Sequence, residues 1–266
     1  IRECSYRWNK NANKSDLKKL YFNFAKILLT RNPELATNLF DKSIYLVNQI
    51  ENLPKSEKTY SQFGQDSYVF NILFNKRKSG IFVDVGGNHP IICNNTFLFE
   101  ENGWSGLALE PQDNLRNLWI GNRKTKCLDN VVGPVNKDVI FIEGDESEHG
   151  LSGIQGFNKV SKIKQTQIVK KQRRLDDILL ENNLLQVDYL SIDVEGYEMS
   201  VLESVDFSKV DIKVIEIEND IGFKWIPFIG KYIGSEFGNK KIRNFLKRKG
   251  YKHVARIMCD DFFIKK

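Results

Sequence analysis

The residues of this chain best suited to chemistry are acids and amides that follow short apolar runs. Ile81-Phe82-Val83 leads into Asp84, Gly86, Gly87 and Asn88. Later runs lead into Glu110, into Asp129-Asn130, into Asp193 with Glu195 two residues on, and into Glu218, Asn219 and Asp220. Glycines just after a buried strand let a ligand approach the backbone closely. The ligand is narrowed by what the loop lacks. Counting from Gly86, the later positions of a G-x-G-x-x-G loop fall on Asn88 and Ile91, and "GGNHPI" has no Lys-Ser/Thr pair, so neither the dinucleotide loop nor the P-loop fits. Asp84 would repel a pyrophosphate and attract an ammonium group.

S-adenosylmethionine has that chemistry: an amino acid joined through a sulfonium to adenosine. Asp84 and the glycine backbone suit its amino-acid end. Glu110, 26 residues further on, suits the two ribose hydroxyls, and Asp129-Asn130 suit the adenine. Each acid alone has an ordinary reading as a helix cap or surface group; their order along the chain is what points to this cofactor.

The elements that must position these residues are strands and helices in alternation. Apolar runs predict strands at 81–85, 106–110, 126–132, 187–193 and 212–218, with helices at 95–102, 175–182 and 195–204 between several of them. Such a pattern implies parallel βαβ units in a doubly wound α/β sheet, whose ligands sit beyond the carboxyl ends of the strands. A helix at 240–249 and two closing strands end the sequence. Residues 1–58 read separately: "SDLKKLYFNFAKILLT" and "NPELATNLFDKSIYLVNQI" form two amphipathic helices, the second opened by Asn32 and Pro33, and "ENLPKSEKT" is a polar linker. The expected domains are therefore a helical hairpin with its linker at 1–58 and an α/β domain at 59–266.

Five segments, "SQFGQD" (61–66), "GIFVDVGGNHP" (80–90), "NNTFLFEENGWSGLALEP" (94–111), "RRLDDIL" (173–179) and "DYLSIDVEGYE" (188–198), resemble the FkbM family of S-adenosylmethionine-dependent methyltransferases. The resemblance runs from about Tyr60 to Asp220 and leaves 1–58 outside. It implies the class I, Rossmann-like methyltransferase sheet with its last strand antiparallel, and O-methylation of sugars in bacterial glycans or of natural products. Carried over, Asp84 and Gly86 belong to the cofactor loop, Glu110 to the ribose, and Asp193 and Glu195 to the catalytic edge. Gln65 and Asn95, within these segments, join Gly87, Asn88, Asp129 and Asn130 in the expected cofactor set. Two residues depart from the pattern: Gly87 stands where alanine is usual, and Gln65 where glutamate often stands.

A sugar hydroxyl is a poor nucleophile until it loses its proton, so a base or a metal is required. Of the three histidines, His89 follows the cofactor loop and is the first candidate base; His149 and His253 are the others. Asp193 and Glu218 at neighbouring strand ends, with Asn219 or Asp220 beside one, could hold Mg²⁺ or Mn²⁺, an arrangement that resembles catechol-type O-methyltransferases. The competing reading is that Asp193 and Glu195 favour the N-terminus of the helix that follows.

Composition bounds the partners. The 266 residues carry a net charge of +6, but 1–58 hold 11 Lys/Arg against 6 Asp/Glu and the rest is nearly neutral. Two basic runs, 159–174 and 240–252, each hold seven basic residues; they read as solvated faces or as a phosphate clamp for an acceptor such as a nucleotide-activated sugar. They lack the aromatic interleaving of nucleic-acid readers, which argues against a nucleic-acid methyltransferase. No apolar run of membrane-spanning length occurs. Four dispersed cysteines suggest a reduced, cytoplasmic protein. The sequence opens at Ile1 without an apolar leader, and reads as a piece of a longer chain. The apolar stripe of Leu17, Tyr21, Phe24 and Leu28 predicts self-association through 1–58 or packing on the same chain. The expected activity is O-methylation of a sugar hydroxyl in polysaccharide or capsule biosynthesis, with a non-catalytic glycan- or partner-binding module as the rival.

Overall fold

A computed structural model describes residues 59–143, 152–156, 166–219, 239–257 and 259–266. The expected hairpin at 1–58, His149 and Asp220 lie outside them. The chain divides into two compact units, Ile1–Lys76 and Arg77–Lys266. Within the first unit, helix α1 (Gln65–Tyr68) runs into a π-helical turn, Val69–Leu73. Its organising group is the buried Asp66 carboxylate, which accepts from Tyr60 N (2.7 Å), Ser61 Oγ (2.6 Å), Thr59 Oγ1 (2.5 Å) and Ser67 N (2.7 Å). Burial raises its pKa while these donors oppose the shift.

The second unit contains, in chain order, β1 (Ile81–Val85), α2 (Phe97–Glu101), β2 (Ser105–Leu109), α3 (Asp113–Asn122), β3 (Lys126–Leu128), β4 (Val131–Val132), β5 (Lys137–Glu143), β6 (Gly153–Ile154) and β7 (Thr166–Arg173). There follow α4 (Leu175–Glu181), β8 (Gln186–Ile192), α5 (Glu198–Glu203), β9 (Asp211–Glu218), α6 (Lys240–Arg248), β10 (Tyr251–Ile257) and β11 (Asp260–Lys265). Seven strands form one sheet in the order β10-β11-β9-β8-β1-β2-β3. β1, β2, β3, β8 and β9 run parallel, and β11 runs antiparallel between β9 and β10. This is the doubly wound α/β sheet of the expected class, last strand antiparallel included. Its central strands are apolar on both faces because both are covered. Val83, Leu107, Leu190 and Ile215 pack with Leu175 and Ile178 of α4, Val201 and Leu202 of α5, and Ile242 and Leu246 of α6.

Register places the site. Val85, Leu109, Leu128, Ile192 and Ile217 stand in one row across five neighbouring strands. The residues that follow them are Gly86, Glu110, Asp129, Asp193 and Glu218, so each acid enters its loop along a single edge, on strands about 4.8 Å apart.

Two expectations need correction. The strand foreseen at 126–132 breaks at Asp129-Asn130, both poor strand formers. Lys126–Leu128 pairs with β2, whereas Val131–Val132 pairs with β7 in a second sheet of order β4-β7-β5-β6. No strand was foreseen in the basic run at 159–174, yet its described part contains the strand β7, whose Thr166–Gln172 pair antiparallel with β5; its outward positions, Lys171 among them, are exposed, in keeping with the solvated-face reading. Its alternation is hidden in the sequence because an inward position carries Lys170, whose Nζ lies 3.0 Å from Asp113 of α3. Among the described residues no helix is long and apolar enough to cross a membrane.

Candidate cofactor site and catalytic edge

The loop after β1 is held from three sides. Gly86 N and Gly87 N donate to Leu109 O at 2.9 and 3.2 Å, and Asp193 N donates to Val85 O at 3.0 Å. Gly86 has φ +83°, and a Cβ there would fall 1.9 Å from Asp193 O, so only glycine fits. Gly87, the departure from the family's usual alanine, has its own cause: a Cβ would lie 2.7 Å from the Trp119 ring. That indole donates through Nε1 to Asn88 O (2.8 Å) and so fastens the turn from below.

Asp84 and Glu110 flank this loop, both buried. Asp84 Oδ2 accepts from Thr96 Oγ1 (2.7 Å) and Asn94 Nδ2 (3.2 Å), leaving Oδ1 for a ligand. Burial raises its pKa, against the pull of Thr96, the Arg123 guanidinium and Asn94. Glu110 accepts from Asn88 N through Oε2 and from Gln112 N through Oε1, both at 2.8 Å. The Gln112 side chain donates to the same carboxylate as well. Burial, with the Asp84 charge adding to it, pushes Glu110 up to about 7. The Cys127 thiol of β3 is held protonated by burial, with both carboxylates adding to the shift. At the end of the same strand the exposed Asp129 is ion-paired to Arg116 at 3.1 Å, with the half-buried Asn130 beside it.

The other end of the row is acidic as well. Asp193, half-buried, sits with its carbonyl against Gly86. Glu195 and Gly196 both have positive φ (+54° and +107°), a turn that delays α5 to Glu198 and not Glu195 as expected. Gly196 N then donates to Glu198 Oε1 at 2.8 Å. Burial, and next the Glu218 carboxylate, push Glu198 well above the usual carboxylate range, with Asp193 adding to the effect.

Two expected roles do not survive the geometry. His89 Nδ1 accepts from Ile91 N (3.1 Å) and Ile92 N (2.9 Å), which spends that nitrogen's lone pair on its own chain and not on an acceptor's proton. Asn219 has both side-chain atoms engaged: Nδ2 donates to Asp261 (2.6 Å), and Oδ1 accepts from Asn239 N (2.6 Å). Asp261 is a buried hub that also accepts from Arg243, Arg256 and His253, which ties the third histidine into the same structural knot. Among the described residues no group of three His, Cys, Asp or Glu is placed to hold a metal ion. Of the expected Mg²⁺ or Mn²⁺ donors, Asp193, Glu218 and Asn219 thus form no such group among the described residues, and Asp220 lies outside them.

Residues 84–253 match the model of the methyltransferase FkbM domain, more than half of the sequence. The chain belongs to the FkbM methyltransferase family. It is a methyltransferase that uses S-adenosylmethionine, and the FkbM match begins at Asp84 itself. Among solved structures the chain is similar to a TehB-like SAM-dependent methyltransferase from Corynebacterium glutamicum, at 11% identity over 85% of this chain and 99% of that one, TM-score 0.37. It is also similar to the pyocyanin biosynthetic protein PhzM, at 14% identity over 91% of this chain and 61% of that one, TM-score 0.35. A search of curated proteins found no match.

Of the residues expected in the FkbM site, Asp84, Gly86, Gly87, Asn88 and Glu110 converge on one loop, and Asp129 and Asp193 open their loops along the same edge. Asn95 reaches the sheet instead, donating to Ser191 Oγ of β8 at 3.2 Å. Gln65 belongs to the other compact unit, where its Oε1 accepts from Phe63 N at 2.7 Å. The reading from sequence missed Asn94, Thr96, Trp119, Arg123 and Glu198. Only Glu198 had a signal: it is the third acid of "DVEGYE", in the first turn of a helix.

Proposed function

We propose that this enzyme transfers the methyl group of S-adenosylmethionine to a sugar hydroxyl, in a nucleotide-activated sugar or a surface-glycan precursor. The observation that carries the reading is the row of strand ends, which sets Glu110, Asp193 and Glu218 along one edge, with Asp84 one residue inside the end of β1 and Glu198 at the start of the helix after β8. In this reading Asp84 faces the cofactor's ammonium, Glu110 the ribose, and Asp129 with Asn130 the adenine. The acceptor lies over the ends of β8 and β9. S-adenosylmethionine, when bound, would supply the methyl group to the acceptor oxygen, whose hydroxyl proton would pass to a carboxylate of this edge. Glu198 suits that last role because its surroundings favour the protonated form; Asp193 and Glu195 shape the edge around it.

The basic runs support a small acceptor over a nucleic acid. In their described part Lys170, Arg173, Arg174 and Arg243 are paired with Asp113, Glu181, Asp176 and Asp261. The same pairings remove Arg243 from the phosphate clamp expected from the sequence.

The test is incubation with labelled S-adenosylmethionine and a panel of nucleotide-activated sugars, with the product's methyl position read by NMR. Label in an O-methyl sugar is expected. Label only in RNA, or only in a nitrogen or carbon acceptor, overturns the reading.

A further inference from the structure

We infer that Arg123 is a positioning residue for the amino-acid end of the cofactor, holding the Asp84 carboxylate in place through Thr96. The inference rests on the proposal that Asp84 faces the ammonium group. Arg123 follows α3, and its side chain is fully buried against the Trp119 ring, 4.4 Å from the centroid, with Phe97 at 5.1 Å. Its Nε donates to Glu100 Oε2 (2.9 Å). Nη1 donates to Pro90 O (2.7 Å) and Asn94 Oδ1 (3.1 Å), and Nη2 to Thr96 Oγ1 (3.3 Å).

The direction of these bonds is fixed by chemistry. A guanidinium only donates, so Thr96 Oγ1 must accept from it, and the single hydroxyl hydrogen is left for an acceptor. Asp84 Oδ2 is nearer, at 2.7 Å, than Asn94 Oδ1, at 3.1 Å. Asn94 repeats the arrangement: its oxygen receives Arg123, Thr96 N and Phe97 N, which turns its NH₂ toward Asp84 Oδ2 and Gly87 O. Both donors that Asp84 receives are thus oriented by one cation that does not touch Asp84 itself. The donated bonds fix the carboxylate's rotation and leave Oδ1 presented. A lysine ammonium, lacking the planar fork, cannot reach all four acceptors at once.

The experiment is calorimetry on the full chain with two ligands: S-adenosylhomocysteine, which carries the amino-acid end, and adenosine, which does not. Arg123→Lys and Thr96→Val are expected to weaken S-adenosylhomocysteine by about tenfold, the scale of one hydrogen bond to a charged group, and to leave adenosine unchanged. Thr96→Ser, which keeps the hydroxyl, restores wild-type affinity. If Arg123→Lys does not fold, Thr96→Val decides alone. Equal losses for both ligands would make Arg123 a scaffold residue and overturn the inference, as would unchanged binding of S-adenosylhomocysteine. A wild-type chain that binds adenosine and S-adenosylhomocysteine equally removes the role of Asp84 itself, an outcome visible before any variant is made.

Discussion

The two halves of the strand-end row carry the same kind of residue in opposite surroundings. On the β1–β2 side, each carboxylate is met by donors: Asp84 by Thr96 and Asn94, with Arg123 behind them, and Glu110 by two backbone N–H groups. On the β8–β9 side, Glu198, at the start of α5, receives the backbone N–H groups of Gly196 and of its own residue but faces the charges of Glu218 and Asp193. In the proposed function the first half holds a ligand in a fixed pose, and the second takes up a proton. Surroundings, not residue type, divide the work between acids of one row.

The sharpest way to break that division is Glu198→Gln. It should lower kcat by about 10²–10⁴, the range for losing a general base, while binding of S-adenosylhomocysteine stays the same. Affinity and turnover falling together would put Glu198 on the cofactor side.

Next in size is the pH dependence of stability. The folded protein holds on Glu110, between the ordinary 4.5 and about 7, a proton that the unfolded chain releases. Stability therefore falls as pH rises through that interval, by at most about 3 kcal/mol. Melting curves of wild type and Glu110→Gln between these limits should diverge, the variant losing less. Parallel curves would show that Glu110 is not the strained acid of its half.

Glu110→Ala should weaken S-adenosylhomocysteine by about 1–3 kcal/mol, since ribose hydroxyls lose their acceptor. Unchanged affinity would sink the ribose assignment. The smallest effect expected is none: exhaustive EDTA treatment should leave turnover intact, because among the described residues no three donors converge on a cation. Activity lost to EDTA and restored by Mg²⁺ would return a metal to the second half.

Much of the row was legible because each strand announces its end. An apolar run needs both faces covered, and acids gather at its end, Asp84 one residue before the end of β1 and Glu110, Asp129, Asp193 and Glu218 at or just past theirs, so these could be read without coordinates. The supporting residues could not. Arg123 was singled out by no motif, and Thr96 falls inside the helix expected at 95–102; only the tertiary fold brings them 3.3 Å apart. His89 shows the converse, for nearness in sequence to the loop suggested a base, and the ring turned its acceptor nitrogen back on its own chain. β7 was missed because a strand carrying an inward lysine has no apolar alternation to find.

The placement of β11 has a consequence for how the protein survives damage and synthesis. It is made after β10, yet it slots between β10 and β9, bonded to both. Until Asp260–Lys265 is in place, β9 shows solvent a bare edge that includes Val214, Ile215 and Ile217, and β10 has no partner in this sheet. Such an edge is a template for pairing with another copy. A nascent chain paused before residue 260, or a protein clipped there by a protease, would thus be prone to aggregate while keeping every strand-end acid of the row.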